Sequence, residues 1–240
     1  MLYGVILAAG SGKRMHSKLK KQFMQINNKP MFYYSVDKFL KVKSINKIIL
    51  VINEIDKNDK YIKDFIIKYK KCLLNDRINI ITGGKERYDS VYNSLNYIKS
   101  YYSISKNDKI IIHDSARPNV DIDDIKKLIT LLNKYKVITL ASKLTDTIKE
   151  IKPSNGDVKR VVKTLDRSKY YLIQTPQGFN LKLLMDCYMR FNSSNKNYKI
   201  TDDLQIIENY SNVKPFVLDS SSLNFKITTQ NDLNMVKYII

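Results

Sequence analysis

The sequence is poor in cysteine and contains no long apolar run. Its two cysteines, Cys72 and Cys187, lie far apart and match no metal-ligand spacing, so we expect ordinary thiols in buried or half-buried helical segments. No window approaches the roughly 20 apolar residues of a membrane span, and the first residues lack the basic region and cleavage site of a signal peptide. These absences predict a cytoplasmic protein that does not associate with a membrane.

Acidic residues are also scarce, since 23 Asp and Glu stand against 42 Lys and Arg, giving a formal net charge of +19. Such a charge suits nucleic-acid binding, because Lys and Arg neutralise phosphates. The lysines are nevertheless spread along the whole chain, without the basic stripe and interleaved aromatic residues of single-strand binders. We therefore favour a solvated lysine surface whose field attracts a small phosphorylated substrate, with no nucleic-acid partner. Binding that weakens steeply with salt would indicate the nucleic-acid alternative.

Glycine is scarce as well, with seven residues in the chain, and four of them fall in two short loops: Gly10, Gly12, Gly83 and Gly84. Each loop follows an apolar, strand-like run. Backbone N–H groups can approach phosphate oxygens closely only where side chains leave room for them. The positions of these glycines predict two loops that contact a phosphorylated ligand, the first of which we interpret as a triphosphate cradle.

Strand-like and helical patterns alternate along the chain. Apolar runs typical of strands lie at residues 4–7, 47–52, 77–81, 109–112 and 137–140. Helical spacing connects Val91, Leu95 and Ile98, and later Ile125, Leu128, Ile129 and Leu132. This alternation predicts an α/β fold with a mainly parallel sheet, helices on both faces and ligands at the carboxyl ends of the strands. Further on we expect a helix near 181–191, a helix opening at 201–203 and a strand at 216–218.

The alternation breaks between Asp146 and Asp166. Two strand-like runs, 147–151 and 158–164, flank Asn155-Gly156, and an Asn-Gly pair between such runs is a strong hairpin signal. A two-stranded ribbon is marginal alone, so this one should pack on its own domain or on a partner subunit. We therefore predict a single domain over residues 1–240, with a protruding β-arm at about residues 144–166.

The first glycine loop ends in cations. It is not a P-loop, because Leu7 stands where that motif requires glycine, and it is not a dinucleotide fingerprint, because Met15 occupies the position of the third small residue. Arg14, followed seven residues later by Lys21, could instead surround a reacting phosphorus with fixed positive charge. Phosphoryl and nucleotidyl transfer depend on such stabilisation. A plain turn with surface lysines is the alternative.

Two further clusters suggest ligand contacts. Gly84 and the Ser90 hydroxyl could read the edge of a base, or simply form a turn with ordinary helix capping. Asp114 follows a buried-looking strand and is placed to hold Mg²⁺ beside a triphosphate, since hard cations prefer carboxylate oxygens. For His113 we favour a structural role on loop carbonyls, and Arg117 could act in the same way.

Together these clusters resemble the 2-C-methyl-D-erythritol 4-phosphate cytidylyltransferases of the non-mevalonate isoprenoid pathway. The segments that carry the resemblance follow one another in the family's order: residues 7–15, 21–23, 83–91, 113–118, 146–149, 166–168, 174–177, 201–203 and 224–228. The resemblance implies a Rossmann-like three-layer α/β/α nucleotidyltransferase. In this family the substrate's 4-phosphate attacks the α-phosphorus of CTP and releases pyrophosphate, assisted by Mg²⁺.

The resemblance also implies roles for individual residues. Arg14 and Lys21 would stabilise the transition state, with Arg167 and Lys226 in the same catalytic set. The CTP contacts would be Ala8, Ala9, Gly10, Gly12, Gly84, Ser90, Asp114 and Arg117, with Asp114 also at the metal. The methylerythritol phosphate would be held by Thr147, Arg167, Thr201 and Lys226. The family further implies a homodimer in which the arm of one subunit completes the acceptor site of its neighbour.

Each acceptor residue also has an ordinary structural interpretation. Lys226 could be an outward lysine of an alternating segment, Arg167 could form a surface pair with Asp166, and Thr201 could be a helix N-cap. Only their joint order along the chain favours the functional interpretation.

Three departures from the family pattern bear on the acceptor and the loops. Lys20 stands where proline is usual, Lys85 where an acidic or small residue is common, and Ser115 where alanine or glycine is usual. Serine at that last position is frequent in the D-ribitol-5-phosphate cytidylyltransferases of teichoic-acid synthesis, which gives an alternative function. A nucleotide-sensing regulator with a dead site is a second alternative. Segments 8–10, 89–91, 164–167 and 201–203 favour methylerythritol, and Arg14, Lys21 and Asp114 disfavour a dead site.

Overall fold

A seven-stranded sheet forms the centre of the molecule. The computed structural model describes residues 1–10, 20–71, 76–153, 156–194 and 200–240. The strands are β1 Leu2–Leu7, β2 Gln25–Ile26, β3 Lys29–Pro30, β4 Lys47–Ile52, β5 Ile78–Thr82, β6 Lys109–Asp114, β7 Val137–Lys143, β8 Ile148–Pro153, β9 Lys159–Leu165, β10 Tyr171–Asn180 and β11 Phe216–Asp219. The α-helices are α1 Met31–Lys41, α2 Lys60–Lys71, α3 Arg87–Tyr101, α4 Ile122–Leu131, α5 Leu181–Ser193, α6 Asp203–Tyr210 and α7 Gln230–Val236.

The sheet is mainly parallel, as the alternation of patterns predicts. Its strand order is β11-β7-β10-β6-β1-β4-β5. Strand β1 pairs in parallel with both β4 and β6, β4 pairs in parallel with β5, and β7 pairs in parallel with β11. Only β10 runs antiparallel to its neighbours, β6 and β7. The carboxyl ends of β1, β4, β5 and β6 therefore meet at one edge, where both glycine loops leave the sheet.

Helices cover both faces of the sheet and complete three α/β/α layers. Alternate residues of β4 point to opposite faces, so that Ile48 and Leu50 contact one helical layer while Ile49 and Val51 contact the other. Helices α1, α2 and α4 pack on the first face, and α3, α5 and α6 on the second. Fully burying each such side chain contributes about 1.5–3 kcal/mol, so both faces of the central strands stabilise the fold.

The sequence patterns do not predict strand β10. It contains Pro176 and Gly178, both of which argue against an interior strand. Its register against β7 shifts between Ile173 and Gln177, and this irregularity accommodates the proline. Gly178 allows a close approach, because a Cβ there would lie 2.7 Å from the side chain of Leu128 in α4, which would have to shift. The two residues that argue against a strand in the sequence, Pro176 and Gly178, are thus both accommodated within β10.

Strands β8 and β9 form the predicted hairpin as a separate two-stranded antiparallel sheet. Gly156 in its turn has a φ of +68°, a conformation that favours glycine. Residue 155 lies outside the described residues. Several apolar side chains of the hairpin are exposed, with Ile151 at 52%, Val158 at 71% and Val161 at 55%. The arm is thus present where the Asn-Gly signal predicts it, and it carries apolar surface that this chain does not cover.

The smaller predictions have mixed outcomes. The helix near 181–191, the helix opening at 201–203 and the strand at 216–218 are confirmed as α5, α6 and β11. Cys187 is a buried free thiol in α5, whereas Cys72 lies outside the described residues. The described helices include none with the length and apolar character that crossing a membrane requires.

His113 joins strands β6 and β10 from within the core. It is fully buried, its Nε2 lies 3.1 Å from the carbonyl oxygen of Arg117, and its Nδ1 lies 3.0 Å from the hydroxyl of Thr175. A carbonyl can only accept, so Nε2 carries the proton and Nδ1 accepts from Thr175. The hydroxyl of Thr175 in turn accepts from the N–H of Asp114 at 3.0 Å. The structural role predicted for His113 is the one that the structure shows.

Burial lowers the pKa of His113 from 6.5 to about 3, with Asp114 opposing the shift and Arg117 adding to it. The folded protein keeps this imidazole neutral, while the unfolded chain binds a proton below about pH 6.5. The unfolded state therefore holds more protons between about pH 3 and 6.5, so the stability that His113 confers decreases as pH falls through this window.

We predict that His113→Gln flattens the pH dependence of unfolding. The wild type should lose up to about 1.4 kcal/mol of unfolding free energy per pH unit through this residue as pH falls below 6.5. Glutamine keeps a donor and an acceptor but has no titrating ring. Urea denaturation of both proteins at several values between pH 4.5 and 8 measures the difference. Parallel stability profiles for the two proteins would contradict the assignment of a buried neutral imidazole.

Candidate active site

A cavity of about 390 Å³ opens at the carboxyl edge of the sheet. The predicted site residues that line it are Ala8, Ala9, Gly10, Lys21, Gly84, Ser90, Asp114 and Lys226. They come from five separate stretches of the chain, which the strand order brings together. Two predicted residues, Gly12 and Arg14, lie outside the described residues. Four others, Arg117, Thr147, Arg167 and Thr201, do not line the cavity.

The first glycine loop is fixed to the sheet where it begins. The N–H of Ala8 donates to the carbonyl of Val51 at 2.8 Å, and the N–H of Ser115 donates to the carbonyl of Leu7 at 3.0 Å. Gly10, where a Cβ would meet nothing within 4 Å, is exposed at the rim. The end of β1 is thus held on both sides where Ala8, Ala9 and Gly10 line the cavity.

The second loop presents Gly84 and Ser90 together. The N–H of Gly84 donates to the Ser90 hydroxyl at 3.1 Å, and Ser90 itself is buried. A Cβ at Gly84 would lie 2.3 Å from the Cβ of Asp89, so only glycine fits there. Asp89 in turn accepts from the N–H of Glu86 at 3.1 Å and caps α3. The ordinary helix capping that the sequence allows is therefore present at Asp89. Gly84 and Ser90 line the cavity wall beside this cap.

Asp114 ends β6 between two cations. Its Oδ1 lies 3.2 Å from Nε of Arg87, and its Oδ2 lies 2.5 Å from Nζ of Lys226. Burial alone would raise the pKa of this carboxyl, but Arg87, Lys226 and Arg117 outweigh burial and hold the pKa well below its usual range. Lys226 is therefore not an outward surface lysine, and that alternative is wrong.

Arg87 connects Asp114 to a second carboxylate, that of Asp203. Its Nη2 lies 2.8 Å from Oδ2 of Asp203, whose Oδ1 accepts from the hydroxyl of Tyr188 at 2.6 Å. Burial favours the neutral guanidine, yet the carboxylates of Asp203 and Asp114 raise the pKa of Arg87 above its ordinary value. Burial, together with Asp203, raises the pKa of Tyr188 well above 10. The network therefore consists of two carboxylates, two cations and a neutral phenol.

Arg117 binds backbone carbonyls beside the cavity. It donates to the carbonyls of Asn224 at 2.7 Å and of Ile173 at 3.3 Å. The N–H of Ile227 donates to the carbonyl of Ala116 at 2.8 Å, so the segment that carries Lys226 is tied to the loop after β6 on two sides. In this structure Arg117 acts on that segment, and its predicted contact with CTP stays a prediction.

The predicted acceptor residues of the arm and of α6 lie on the surface. Arg167 donates to the carbonyl of Thr145 at the base of the arm, close to Thr147. Thr201 donates through its N–H and its hydroxyl to the side chain of Gln205, at 2.9 and 3.2 Å. The N-cap of α6 is Asp202, so the N-cap interpretation of Thr201 is wrong. Within one chain these residues are separate from the cavity that holds Lys226.

The two lysines that depart from the family pattern have different surroundings. Lys20 forms an ion pair with the buried carboxylate of Asp56, which also accepts from Gln22 at 3.0 Å. This pair anchors the chain directly before Lys21. Lys85 is exposed and lines the cavity.

Sequence reasoning missed Arg87 as a site residue. It belongs to the second glycine cluster, but its two acidic partners follow at positions 114 and 203. Asn53 and Met31 also line the cavity without any signal in the sequence, whereas Thr228 lines it from the segment 224–228 that carries the resemblance. For Arg87 the one available signal was an arginine at the first turn of a helix that follows a glycine loop, where an acidic residue would suit the helix dipole better.

Comparisons with known proteins agree with this geometry. The family model IspD, described as 2-C-methyl-D-erythritol 4-phosphate cytidylyltransferase, matches residues 2–240. A relative of that name from Clostridium botulinum (strain 657 / Type Ba4) is 40% identical over 236 residues, 98% of this chain and 96% of its own length. Another from Clostridium kluyveri (strain NBRC 12016) is 36% identical over 237 residues, 99% of this chain and 95% of its own length.

Solved structures give the same result. The 4-diphosphocytidyl-2C-methyl-D-erythritol synthase of Anaerococcus prevotii DSM 20548 has a TM-score of 0.82 and 31% identity, covering 99% of this chain and 95% of its own. The 2-C-methyl-D-erythritol 4-phosphate cytidylyltransferase of Francisella tularensis has a TM-score of 0.78 and 30% identity, covering 100% and 99%. These neighbours confirm the Rossmann-like fold. The family match spans the whole sheet and the cavity at its edge, and the chain therefore belongs to the 2-C-methyl-D-erythritol 4-phosphate cytidylyltransferase family.

Proposed function

We propose that the cavity between the two glycine loops is where this chain transfers CMP from CTP to the phosphate of 2-C-methyl-D-erythritol 4-phosphate. The reaction gives 4-diphosphocytidyl-2-C-methyl-D-erythritol and pyrophosphate. The supporting observation is that both loops, Asp114 and two lysines line one cavity of about 390 Å³, within the range of small-ligand sites. The D-ribitol-5-phosphate alternative is not favoured, because the family model and the relatives described above carry the methylerythritol name.

The nucleotide occupies the part of the cavity between the loops. Ala8, Ala9 and Gly10 offer a wall without bulky side chains, and Gly84 with Ser90, which are hydrogen-bonded to each other, form the wall on the side of the second loop against the cytosine and ribose. The triphosphate then extends towards Lys21 and Lys226. An oxygen of the acceptor phosphate attacks the α-phosphorus, the new P–O bond forms, and the bond to the bridging oxygen of pyrophosphate breaks. Fixed cations stabilise the charge that develops on the equatorial oxygens.

Mg²⁺ fits this cavity as an ion held mainly by the nucleotide. Asp114 supplies a deprotonated carboxylate, and the described residues contain no group of three or more His, Cys, Asp or Glu that could bind a metal alone. Mg²⁺ at nucleotides usually takes one or two carboxylates and completes its shell with phosphate oxygens and water. Asp114 is the residue that would hold the ion, which when bound withdraws negative charge from the phosphates.

A second copy of the chain supplies the remaining acceptor contacts. Thr147 and Arg167 flank the base of the arm and do not line the cavity of their own chain. The exposed Ile151, Val158 and Val161 give the arm an apolar surface suited to a partner. A homodimer in which the arms exchange contacts brings Thr147 and Arg167 to the neighbour's cavity, near Lys226. The expectation of a cytoplasmic location stays a prediction.

The acceptor is tested by pyrophosphate release. The purified protein, CTP and Mg²⁺ are incubated with 2-C-methyl-D-erythritol 4-phosphate or with D-ribitol 5-phosphate at equal concentration, and without acceptor as the background. We expect release with the methylerythritol phosphate at a kcat/KM at least about tenfold above that with the ribitol phosphate, since each 1.4 kcal/mol of discrimination gives a factor of ten. A preference for ribitol phosphate would overturn the acceptor, and release with neither would overturn the function.

The roles of individual residues predict a split in the kinetic constants. Lys21→Ala and Arg14→Ala should lower kcat by about 10²-fold or more, because these cations act on the transition state. Arg167→Ala should chiefly raise the KM for the acceptor, because it acts on ground-state binding. Lys182→Ala, at an exposed lysine of α5, is the matched control and should leave every constant unchanged. An effect of Arg167→Ala on the KM for CTP alone would show that the two substrates are placed wrongly.

A further inference from the structure

We infer that Arg87 is a positioning residue that links the nucleotide side of the cavity to the start of α6, acting through Asp114 and Asp203. The inference deepens the proposed function and rests on it. It follows from three observations: the continuity of the charge network, the unequal burial of its members, and the position of Asp203 in the chain.

The network is continuous from the cavity into the second helical layer. Lys226 contacts Oδ2 of Asp114 at 2.5 Å, and Arg87 contacts Oδ1 of the same carboxylate at 3.2 Å. Arg87 then contacts Asp203 at 2.8 Å, and Asp203 accepts from Tyr188 at 2.6 Å. Arg87 is therefore the member that contacts both carboxylates. Its guanidinium does so through two nitrogens, with Nε against Asp114 and Nη2 against Asp203.

The two ends of the network differ most in burial. In the order in which the members contact one another, the exposed side-chain fraction is 36% for Lys226, 11% for Asp114, 25% for Arg87 and 0% for Asp203. A buried carboxylate that loses its cation is strongly destabilised, so Arg87 cannot leave Asp203 at low cost. Lys226 lies at the exposed end and can exchange the carboxylate for a phosphate oxygen. We therefore identify Arg87 as the fixed partner of Asp114 and Lys226 as the exchangeable one.

Charge balance explains why Lys226 can be released. Two carboxylates are opposed by two cations in the network, and Arg87 lies against both carboxylates. When a triphosphate attracts Lys226, Asp114 still has Arg87 on its other oxygen and stays ionised and oriented. Without Arg87, Lys226 would be held more tightly by Asp114 and would be less available to phosphate.

The other end of the network places α6. Asp203 is the first residue of this helix, and Asp202 caps it by accepting from the N–H of Gln205 at 3.1 Å. Asp202 also accepts from Gln177 of β10 at 2.9 Å. Thr201, predicted to contact the acceptor, directly precedes this pair. The ion pair between Arg87 and Asp203 thus fixes the position of Thr201 relative to Asp114.

The test compares Arg87→Met and Arg87→Lys with Arg77→Met. Arg77 is the matched control, because its guanidinium donates to the carbonyls of Leu40, Val42 and Ile45 and does not line the cavity. The measurements are the Kd of CTP by calorimetry, with Mg²⁺ and with EDTA, the KM of the acceptor, kcat, and the melting temperature.

We expect Arg87→Met to raise the Kd of CTP by about tenfold and the KM of the acceptor several-fold, as for groups that orient a binding residue. Arg87→Lys should partly restore either the Kd of CTP or the KM of the acceptor, because an ammonium keeps the charge but reaches one carboxylate. Arg77→Met should lower the melting temperature while Kd and KM stay within about twofold of wild type. If Arg87→Met does not fold, Arg87→Lys decides by the same constants.

The outcomes separate this inference from the proposed function. An active wild type whose Arg87 variants lower only the melting temperature, as Arg77→Met does, would overturn the positioning role alone. A wild type that binds CTP but releases no pyrophosphate with either acceptor would overturn the function, and the CTP titrations of the variants would then decide on Arg87. A wild type that binds no CTP would overturn both.

Discussion

The site depends on one carboxylate, Asp114, held at the end of a central strand between two cations. Strand β6 lies in the middle of the sheet, and hydrogen bonds between its two terminal residues and Thr175 on β10 fix where the strand ends. Arg87, which precedes Asp114 in the sequence, and Lys226, which follows it, both contact that carboxylate. Because a buried carboxylate that loses its cation is strongly destabilised, removal of either partner would disturb both the fold and the arrangement of the binding groups. Stability and site geometry therefore rest on the same side chains.

The parallel sheet explains how distant residues form one cavity. Successive parallel strands end at the same edge, so the loops after β1, β5 and β6 face each other there. Helices on both faces bury the strands and leave this edge for the ligand. The arm differs, because among the described residues its two strands pair only with one another, in a separate sheet. Its exposed apolar residues suit a partner chain, and a dimer would complete the acceptor site.

Local patterns in the sequence predicted the elements that local forces determine. The alternating apolar runs predicted β1, β4, β5, β6 and β7, and the Asn-Gly pair predicted the arm. Strand β10 could not be found in this way, because its proline and glycine are tolerated only through a register shift and a close approach of α4. The role of Arg87 could not be predicted from the sequence, for a related reason. Its partners are distant in sequence, and no local pattern indicates which carboxylates will meet a given arginine.

The most direct test of this account is a crystal structure of the protein with CTP and Mg²⁺. The account predicts cytosine between Ala8 to Gly10 and the Gly84–Ser90 loop, with Arg87 still on Oδ1 of Asp114. It also predicts that Nζ of Lys226 leaves Oδ2 and contacts a phosphate oxygen. A nucleotide bound elsewhere on the surface, or phosphates remote from a Lys226 that stays on Asp114, would contradict the account.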